Sequence, residues 1–282
     1  MPLVVSPGVH QEPAYTAPWV GAYVGDQANP SPDYNALWKA RQREVGPLHI
    51  WRCFDSSIKT PATARYQRVP APVIPFYSLK PTNGDITGFA AGNYSAAYQT
   101  VVSGLPYGSY LAVWHEPEDD MTGTDFKLLT ERAYADAKAV RPDITFSYIA
   151  MAYQWETNSK GHTGSNAGWL EAARLVDLVA VDVYAPAEDY KPMAQDLGFQ
   201  SWMTQIVAAS GTPWGVTERG IYDGQGDTSR ADVLTEDWLY ACHNGAEMFL
   251  YYDADWDGGT YLLDGPASLA AMRGIAAQGR CR

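Results

Sequence analysis

Eight short apolar segments recur along the chain, and each is bounded by turn residues or by a helical pattern of apolar positions. Segments 110–114 and 178–181 are apolar without alternation, as expected of strands that are covered on both faces. The predicted strands are 19–25, 48–55, 73–79, 109–116, 145–155, 176–184, 213–218 and 247–253. Their number and length favour a parallel sheet whose strands alternate with helices.

Helical patterns lie between these strands. Ser31 and Pro32 form an N-cap and first-turn pair after the first strand, and after the fourth strand apolar positions repeat at helical spacing as far as Pro142. We expect an irregular connection at 56–72, which has little periodicity, and a long loop at 81–92. No glycine-rich phosphate loop follows the first strand, which argues against an open doubly wound sheet. The sequence therefore predicts an α/β fold, a single (β/α)8 TIM barrel that occupies residues 1–282 as one catalytic domain.

The formal net charge of −12 limits the partners of the chain. Binding to a phosphate backbone needs a basic surface, so we expect neither a nucleic-acid partner nor a membrane partner. No segment approaches the ~18 apolar residues of a membrane span, and the N-terminus lacks the pattern of an export signal. We expect a monomer, whose location stays open among an extracellular enzyme, a cytoplasmic enzyme and a virion component. No P-loop, GxSxG or HExxH motif occurs, so no cofactor and no metal are predicted.

Two glutamates carry the predicted chemistry. Glu116 ends the fourth predicted strand and Glu218 ends the seventh. Side chains at the C-terminal ends of barrel strands face the active-site mouth, where strands four and seven lie opposite each other. Glycoside hydrolysis uses two such carboxyl groups, a proton donor and a nucleophile or base. The alternatives are that Glu116 is a structural ion-pair partner and that Glu218 pairs with Arg219 at the surface.

This arrangement resembles clan A of the glycoside hydrolases, in which the acid/base glutamate ends strand four and the nucleophile glutamate ends strand seven. His115 precedes Glu116, as a histidine does in family 26, the β-mannanase family, whereas most families of the clan have asparagine there. The segment from Asp182 to Tyr184 is similar to the strand-six ending of that family. The resemblance implies that Tyr184 hydrogen-bonds and orients Glu218.

Further residues are candidates for binding or support. Arg52 lies within an apolar run and needs a carboxylate partner, for which Glu218 and Asp55 are the candidates. His115 is either a substrate ligand or a core histidine. The acidic cluster 118–120 is expected to be a solvated loop, although the family resemblance would place asparagine at Glu118. Rings near strand ends are either sugar platforms or core residues, and these are Trp114, Trp155, Tyr252 and Trp256.

The sequence thus predicts a retaining endo-type β-glycanase that acts on a polysaccharide or oligosaccharide without a cofactor. Glu116 is the predicted acid/base and Glu218 the predicted nucleophile, with their carboxyl groups about 5 to 5.5 Å apart. The alternative from another class is a non-catalytic carbohydrate-binding TIM barrel that acts as a recognition domain.

Overall fold

Eight parallel strands close into a barrel in chain order in the computed structural model, which describes residues 19–24, 34–156, 166–256 and 259–278. This confirms the predicted (β/α)8 TIM barrel and the number and order of its strands. The predicted strand 145–155 is too long, because it ends at Met151 and a 3₁₀ turn, Ala152–Trp155, follows it. The strands are β1 (Trp19–Val24), β2 (Ile50–Asp55), β3 (Ile74–Leu79), β4 (Tyr110–Val113), β5 (Thr145–Met151), β6 (Leu178–Ala185), β7 (Trp214–Ile221) and β8 (Met248–Asp253). A short hairpin of β9 (Asp255–Trp256) and β10 (Gly259–Thr260) follows β8.

Helices surround the barrel. They are α1 (Tyr34–Val45), α2 (Ile86–Ala90), α3 (Ser95–Ser103), α4 (Gly123–Val140), α5 (Ala167–Leu175), α6 (Leu197–Trp202), α7 (Asp227–His243) and α8 (Pro266–Gln278). The connection between β2 and β3 contains one 3₁₀ turn, Arg65–Arg68, which confirms that it is irregular. The prediction of a long loop at 81–92 was wrong in part, because α2 forms there. Asp85 caps this helix by accepting a 2.8 Å hydrogen bond from the Gly88 N–H.

Two apolar layers hold the barrel together. Inward-facing residues at alternate positions of the strands fill its interior, and a larger set packs the strands against the helices. The interior set is Ile50, Phe76, Ala112, Ile149, Leu178, Ala180, Met248 and Leu250. Arg52, Ser78 and Asp182 continue these inward-facing positions toward the C-terminal ends of the strands and are also fully buried. The polar end of the barrel interior is therefore its mouth.

The ends of β4 and β7 differ from the sequence prediction. β4 stops at Val113, and both Trp114 (φ 59°) and Glu116 (φ 53°) adopt left-handed backbone conformations that few residues other than glycine take. β7 continues past Glu218 to Ile221. Glu116 therefore lies in a strained turn beyond its strand, whereas Glu218 lies within its strand.

Candidate active site

A bulge in β7 turns Glu218 into the barrel mouth. Val216 faces the helices, so strict alternation would also turn Glu218 toward the helices. Between Val216 and Arg219, β7 has one more residue than the matching stretch of each neighbouring strand. In the strand register, Glu218 lies opposite Asp182 of β6. A bulge of this kind re-aims the side chains that follow it.

Three carboxyl groups meet at the mouth. One carboxylate oxygen from each of Glu116, Asp182 and Glu218 lies within 4.8 Å of those of the other two. Glu116 reaches this point from the turn after β4, and Glu218 reaches it from the opposite side of the barrel. The structure therefore brings together the two glutamates that the sequence singled out and adds Asp182 as a third acid.

Glu218 is held by two partners. The Tyr184 hydroxyl donates a 2.5 Å hydrogen bond to Glu218 Oε2, and Arg52 Nε lies 3.5 Å from Oε1. Burial raises the pKa of Glu218, while the Arg52 charge and the Tyr184 hydrogen bond lower it. These two partners favour the ionised carboxylate and fix its direction.

The pKa of Glu116 is also raised, but here neighbouring carboxylates add to the effect of burial. Burial, followed by the charges of Glu218 and Glu118, raises its pKa to about 8, although Arg52 and Lys80 act in the other direction. Its side chain is only half-buried, so it is also accessible from the mouth. A carboxyl group with this pKa holds its proton at neutral pH, as a general acid must.

Asp182 is fully buried, and its pKa is raised well above the ordinary value by burial and then by the charges of Glu218 and Glu116. Thr217 Oγ1 donates a 2.6 Å hydrogen bond to Asp182 Oδ1. Among the residues that the structure describes, Oδ2 has no hydrogen-bond partner. Burial and the neighbouring glutamates therefore favour the protonated form of Asp182, which contributes one oxygen to the carboxyl cluster.

A hydrogen-bonded chain connects Arg52 to His115. Arg52 Nη1 donates to Ser78 Oγ over 3.0 Å, and Ser78 Oγ lies 3.0 Å from His115 Nδ1. Burial and then the Arg52 charge lower the pKa of His115 well below its usual range, so the ring is neutral. Sequence reasoning missed Ser78, although a serine inside the apolar third strand was a detectable signal.

The predicted aromatic platforms have different positions. Tyr252 is buried and stacks on Tyr23 with ring centroids 5.1 Å apart and an interplanar angle of 8°. It also packs edge-on against Tyr184 at 5.4 Å, so this ring supports the hydrogen-bond partner of Glu218. The Trp256 side chain lies outside the described residues. Tyr23, like Ser78, was not among the sequence candidates.

Trp155 and Glu118 belong to a buried structural cluster. Trp155 is 2% exposed and donates its indole N–H to Glu118 Oε1 over 3.0 Å, an environment of core packing that leaves no ring face for a sugar. Glu118 also accepts hydrogen bonds from the Tyr148 hydroxyl and the Met151 N–H, and burial raises its pKa to about 7. The expectation of a solvated loop was therefore wrong for Glu118, because these buried donors draw it inward.

The buried arginines answer the pairing question that the sequence left open. Arg52 pairs with Glu218, whereas Asp55 accepts a hydrogen bond from the Tyr77 hydroxyl and lies 3.7 Å from Arg65. Arg219 points away from the mouth and pairs with Asp237, so the proposed surface pair of Glu218 with Arg219 does not form.

By donor type, the trio Glu116, Asp182 and Glu218 has the composition of a site for a hard cation. The Arg52 guanidinium already provides a permanent positive charge beside Glu218. Elsewhere in the described ranges, no other group of three His, Cys, Asp or Glu residues has its ligand atoms this close together. In the same ranges, no helix is long and apolar enough to cross a membrane.

No family model matches the sequence, and no curated protein sequence matches it. Solved structures do match. The chain is similar to a family 39 glycoside hydrolase from Bacteroides cellulosilyticus WH2, with a TM-score of 0.63 at 15% identity, over 94% of this chain and 65% of the other. It is also similar to a family 128 endo-β-1,3-glucanase from Sorangium cellulosum, with a TM-score of 0.59 at 16% identity, over 92% of this chain and 98% of the other.

An endo-1,4-β-D-mannanase from Thermotoga petrophila RKU-1 matches with a TM-score of 0.58 at 13% identity, over 93% of this chain and 99% of that enzyme. Identities this low show a common fold and no more. The chain therefore has the (β/α)8 barrel found in glycoside hydrolases. None of these three proteins is described as a family 26 enzyme.

Proposed function

We propose that this chain is a retaining glycoside hydrolase, an endo-type β-glycanase that cleaves a polysaccharide or oligosaccharide by double displacement. The observation that carries the proposal is the pair of opposed glutamates, Glu116 and Glu218, with carboxylate oxygens within 4.8 Å of each other in the barrel mouth. Their environments differ in the way that this reaction requires, because one favours a protonated acid and the other an oriented carboxylate.

In the first step, Glu218 attacks the anomeric carbon while Glu116 gives its proton to the leaving oxygen. The C–O bond to the leaving group breaks, and a glycosyl ester forms on Glu218. Arg52 and Tyr184 direct the attacking carboxylate. Glu218 loses its negative charge when the ester forms, and Glu116 gains one when it gives up its proton. That exchange lowers the pKa of Glu116 only after the glycosidic bond has broken, because its neighbour is then neutral.

In the second step, the Glu116 carboxylate takes a proton from water, which attacks the anomeric carbon from the face that the leaving group has left and breaks the bond to Glu218. The product then keeps the substrate configuration. An inverting enzyme instead needs carboxyl groups roughly 6.5 to 9.5 Å apart, so that water fits behind the sugar. The separation in this structure supports direct attack.

We also propose that the chain is related to family 26 of the glycoside hydrolases. This relation is supported by the Tyr184 hydrogen bond to Glu218 and by His115 beside Glu116. His115 is neutral and linked through Ser78, which suits it to present its second ring nitrogen to a sugar hydroxyl.

A reducing-end assay over β-mannan, xylan, β-1,4-glucan and β-1,3-glucan tests the function. Proton NMR of the first-formed anomer on the cleaved polymer tests the mechanism. We expect the wild type to release a product with retained anomeric configuration, and we expect Glu218→Gln to lose activity. An inverted product contradicts the retaining mechanism, and binding without cleavage by the wild type favours the recognition domain instead.

A further inference from the structure

One exposed apolar patch lies beside the candidate acid. The exposed large apolar side chains among the described residues are Trp19, Leu37, Tyr107, Leu128, Tyr153, Leu175, Leu197 and Leu239. Four of these are on the outer helices α1, α4, α5 and α7, while Trp19 begins β1 and Tyr107 precedes β4 at the opposite end of the barrel. Only Tyr153 (54% exposed) and Leu197 (71% exposed) follow strands β5 and β6 at the mouth.

Tyr153 and Leu197 lie on adjoining backbone segments, which we call the apolar ledge. Tyr153 belongs to the 3₁₀ turn Ala152–Trp155 after β5, and Leu197 begins α6. The next residue, Gly198, packs so closely that an added Cβ would lie 3.1 Å from Tyr153 Cα and 2.3 Å from Ala152 O. Glycine therefore allows α6 to approach this turn.

The ledge is fastened to the turn that carries Glu116. The Glu116 N–H donates to Ile149 O over 3.0 Å, and the Met151 N–H donates to the Glu118 carboxylate over 3.3 Å. Partial burial raises the pKa of the Tyr153 phenol, and the charges of Asp119 and then Glu116 add to the rise. Trp155 of the same turn packs inward, so Tyr153 is its outward-facing ring.

We infer that the ledge of Tyr153 and Leu197 binds the sugar units on the leaving-group side of the scissile bond, with the Tyr153 ring stacked on a pyranose face. This inference rests on the proposed function and extends it. Glu116 protonates the leaving oxygen, so the sugars beyond that oxygen extend past Glu116 rather than past the tyrosines around Glu218. A half-exposed ring on a turn that is packed closely against α6 offers a face on which a sugar can stack.

Two classes of substrate, which differ in whether sugar units lie on the leaving-group side of the scissile bond, test the inference. Reducing-end-labelled hexasaccharides of β-1,4-mannose, xylose and glucose and of β-1,3-glucose occupy both sides of the site, whereas the matching dinitrophenyl glycosides have no sugar on the leaving side. Tyr153→Ala should lower kcat/KM about 10-fold on the hexasaccharide that is cleaved and change it less than about 2-fold on the aryl glycoside. Cleavage should also move toward the reducing end, since fewer leaving-side units are then held.

Tyr153→Phe keeps the ring and should retain wild-type kcat/KM on both substrates. Tyr107→Ala, which removes an 86% exposed tyrosine at the other end of the barrel, is the matched control and should change neither substrate. Equal losses on both substrates, or no loss on the hexasaccharide, would overturn the inference. If the wild type cleaves none of these sugars, the proposed function fails; calorimetric binding of the same hexasaccharides then tests the ledge, and unchanged affinity in Tyr153→Ala overturns it.

Discussion

Strand β7 carries a buried ion pair on each of its two faces, and the two pairs differ in how completely their polar atoms are satisfied. On the outer face, Arg219 Nε donates to Asp237 over 2.6 Å, and its other nitrogens donate to backbone carbonyls, including that of Lys191 at 3.0 Å. On the inner face, Arg52 Nε lies 3.5 Å from Glu218. Neither Nε nor Nη2 of Arg52 has a hydrogen-bond partner within the described part of the chain.

This is the difference expected between a structural ion pair and one in a ligand-binding site. Buried polar groups are nearly always hydrogen-bonded in folded proteins, and the outer pair follows this rule. In the mouth, two nitrogens of Arg52 and one oxygen of Asp182 have no hydrogen-bond partner among the residues that the structure describes, and the adjacent glutamates have raised pKa values. Unmet hydrogen-bonding capacity and perturbed acids in one concavity are typical of a site that is completed by its ligand.

Removing one acid from each pair gives the largest contrast. Glu218→Gln should lower kcat/KM by at least about 10⁴-fold, because the amide cannot form the glycosyl ester. Asp237→Asn should leave activity nearly intact but destabilise the fold by about 3–5 kcal/mol, because Arg219 stays buried without its counter-charge. Initial rates and denaturant unfolding of both variants check this, and an active Glu218→Gln enzyme would refute the assigned nucleophile.

Glu116→Ala should produce a smaller loss that depends on the substrate. Acid assistance contributes about 10²–10⁴-fold, so activity should fall by that factor on natural glycans but much less on dinitrophenyl glycosides, whose leaving group needs no proton. Added azide should restore turnover in Glu116→Ala by replacing the activated water. Equal losses for this variant and Glu218→Gln on the aryl glycoside would contradict the division of roles.

The pH dependence of activity in Arg52→Gln and Arg219→Gln compares the roles of the two buried arginines. The wild-type activity should fall as pH rises through about 8, where Glu116 loses its proton. Arg52→Gln should lower kcat/KM about 10²-fold and move the acid limb upward, because the Arg52 charge holds down the pKa of Glu218. Arg219→Gln should destabilise the protein and leave the profile in place. If the acid limb of the Arg52→Gln profile does not move, Arg52 does not control the ionisation of Glu218 as predicted.

Stability should follow the same ionisation. Folding raises the pKa of Glu116 from its ordinary value of 4.5 to about 8. Its protonation therefore stabilises the fold fully below about pH 4.5, and this contribution is lost as pH rises through about 8. The unfolding temperature of Glu116→Gln should therefore be closest to that of the wild type at pH 4. It should exceed the wild-type value by an increasing margin as the pH rises to 8.

The smallest effect is expected at the third acid. Burial and the neighbouring glutamates favour the protonated form of Asp182, which the amide of Asp182→Asn resembles in charge. The amide also keeps the acceptor for Thr217, so kcat/KM should change by less than about 10-fold. Treatment with a chelator should leave wild-type activity unchanged, since Arg52 provides the positive charge at the cluster. Loss of activity on chelation, restored by a divalent cation, would instead identify the trio as a metal site.

Local pattern alone determined the order of the eight strands, the irregular second connection and the two opposed glutamates. These follow from the apolar periodicity and from the rule that parallel barrel strands end at one mouth, both of which are readable from neighbouring residues. The family resemblance similarly pointed to the hydrogen bond between Tyr184 and Glu218, which the structure contains.

Tertiary structure decided which face each side chain takes. Glu218 faces the mouth and Arg219 the helices only because β7 bulges against both neighbouring strands, and a shift of one residue reverses the alternation that a sequence suggests. In the turn after β5, buried Glu118 draws Trp155 inward and leaves Tyr153 exposed. The raised pKa of Glu116 likewise depends on Glu218, which is distant in sequence, because electrostatic fields and burial depend on distance in space.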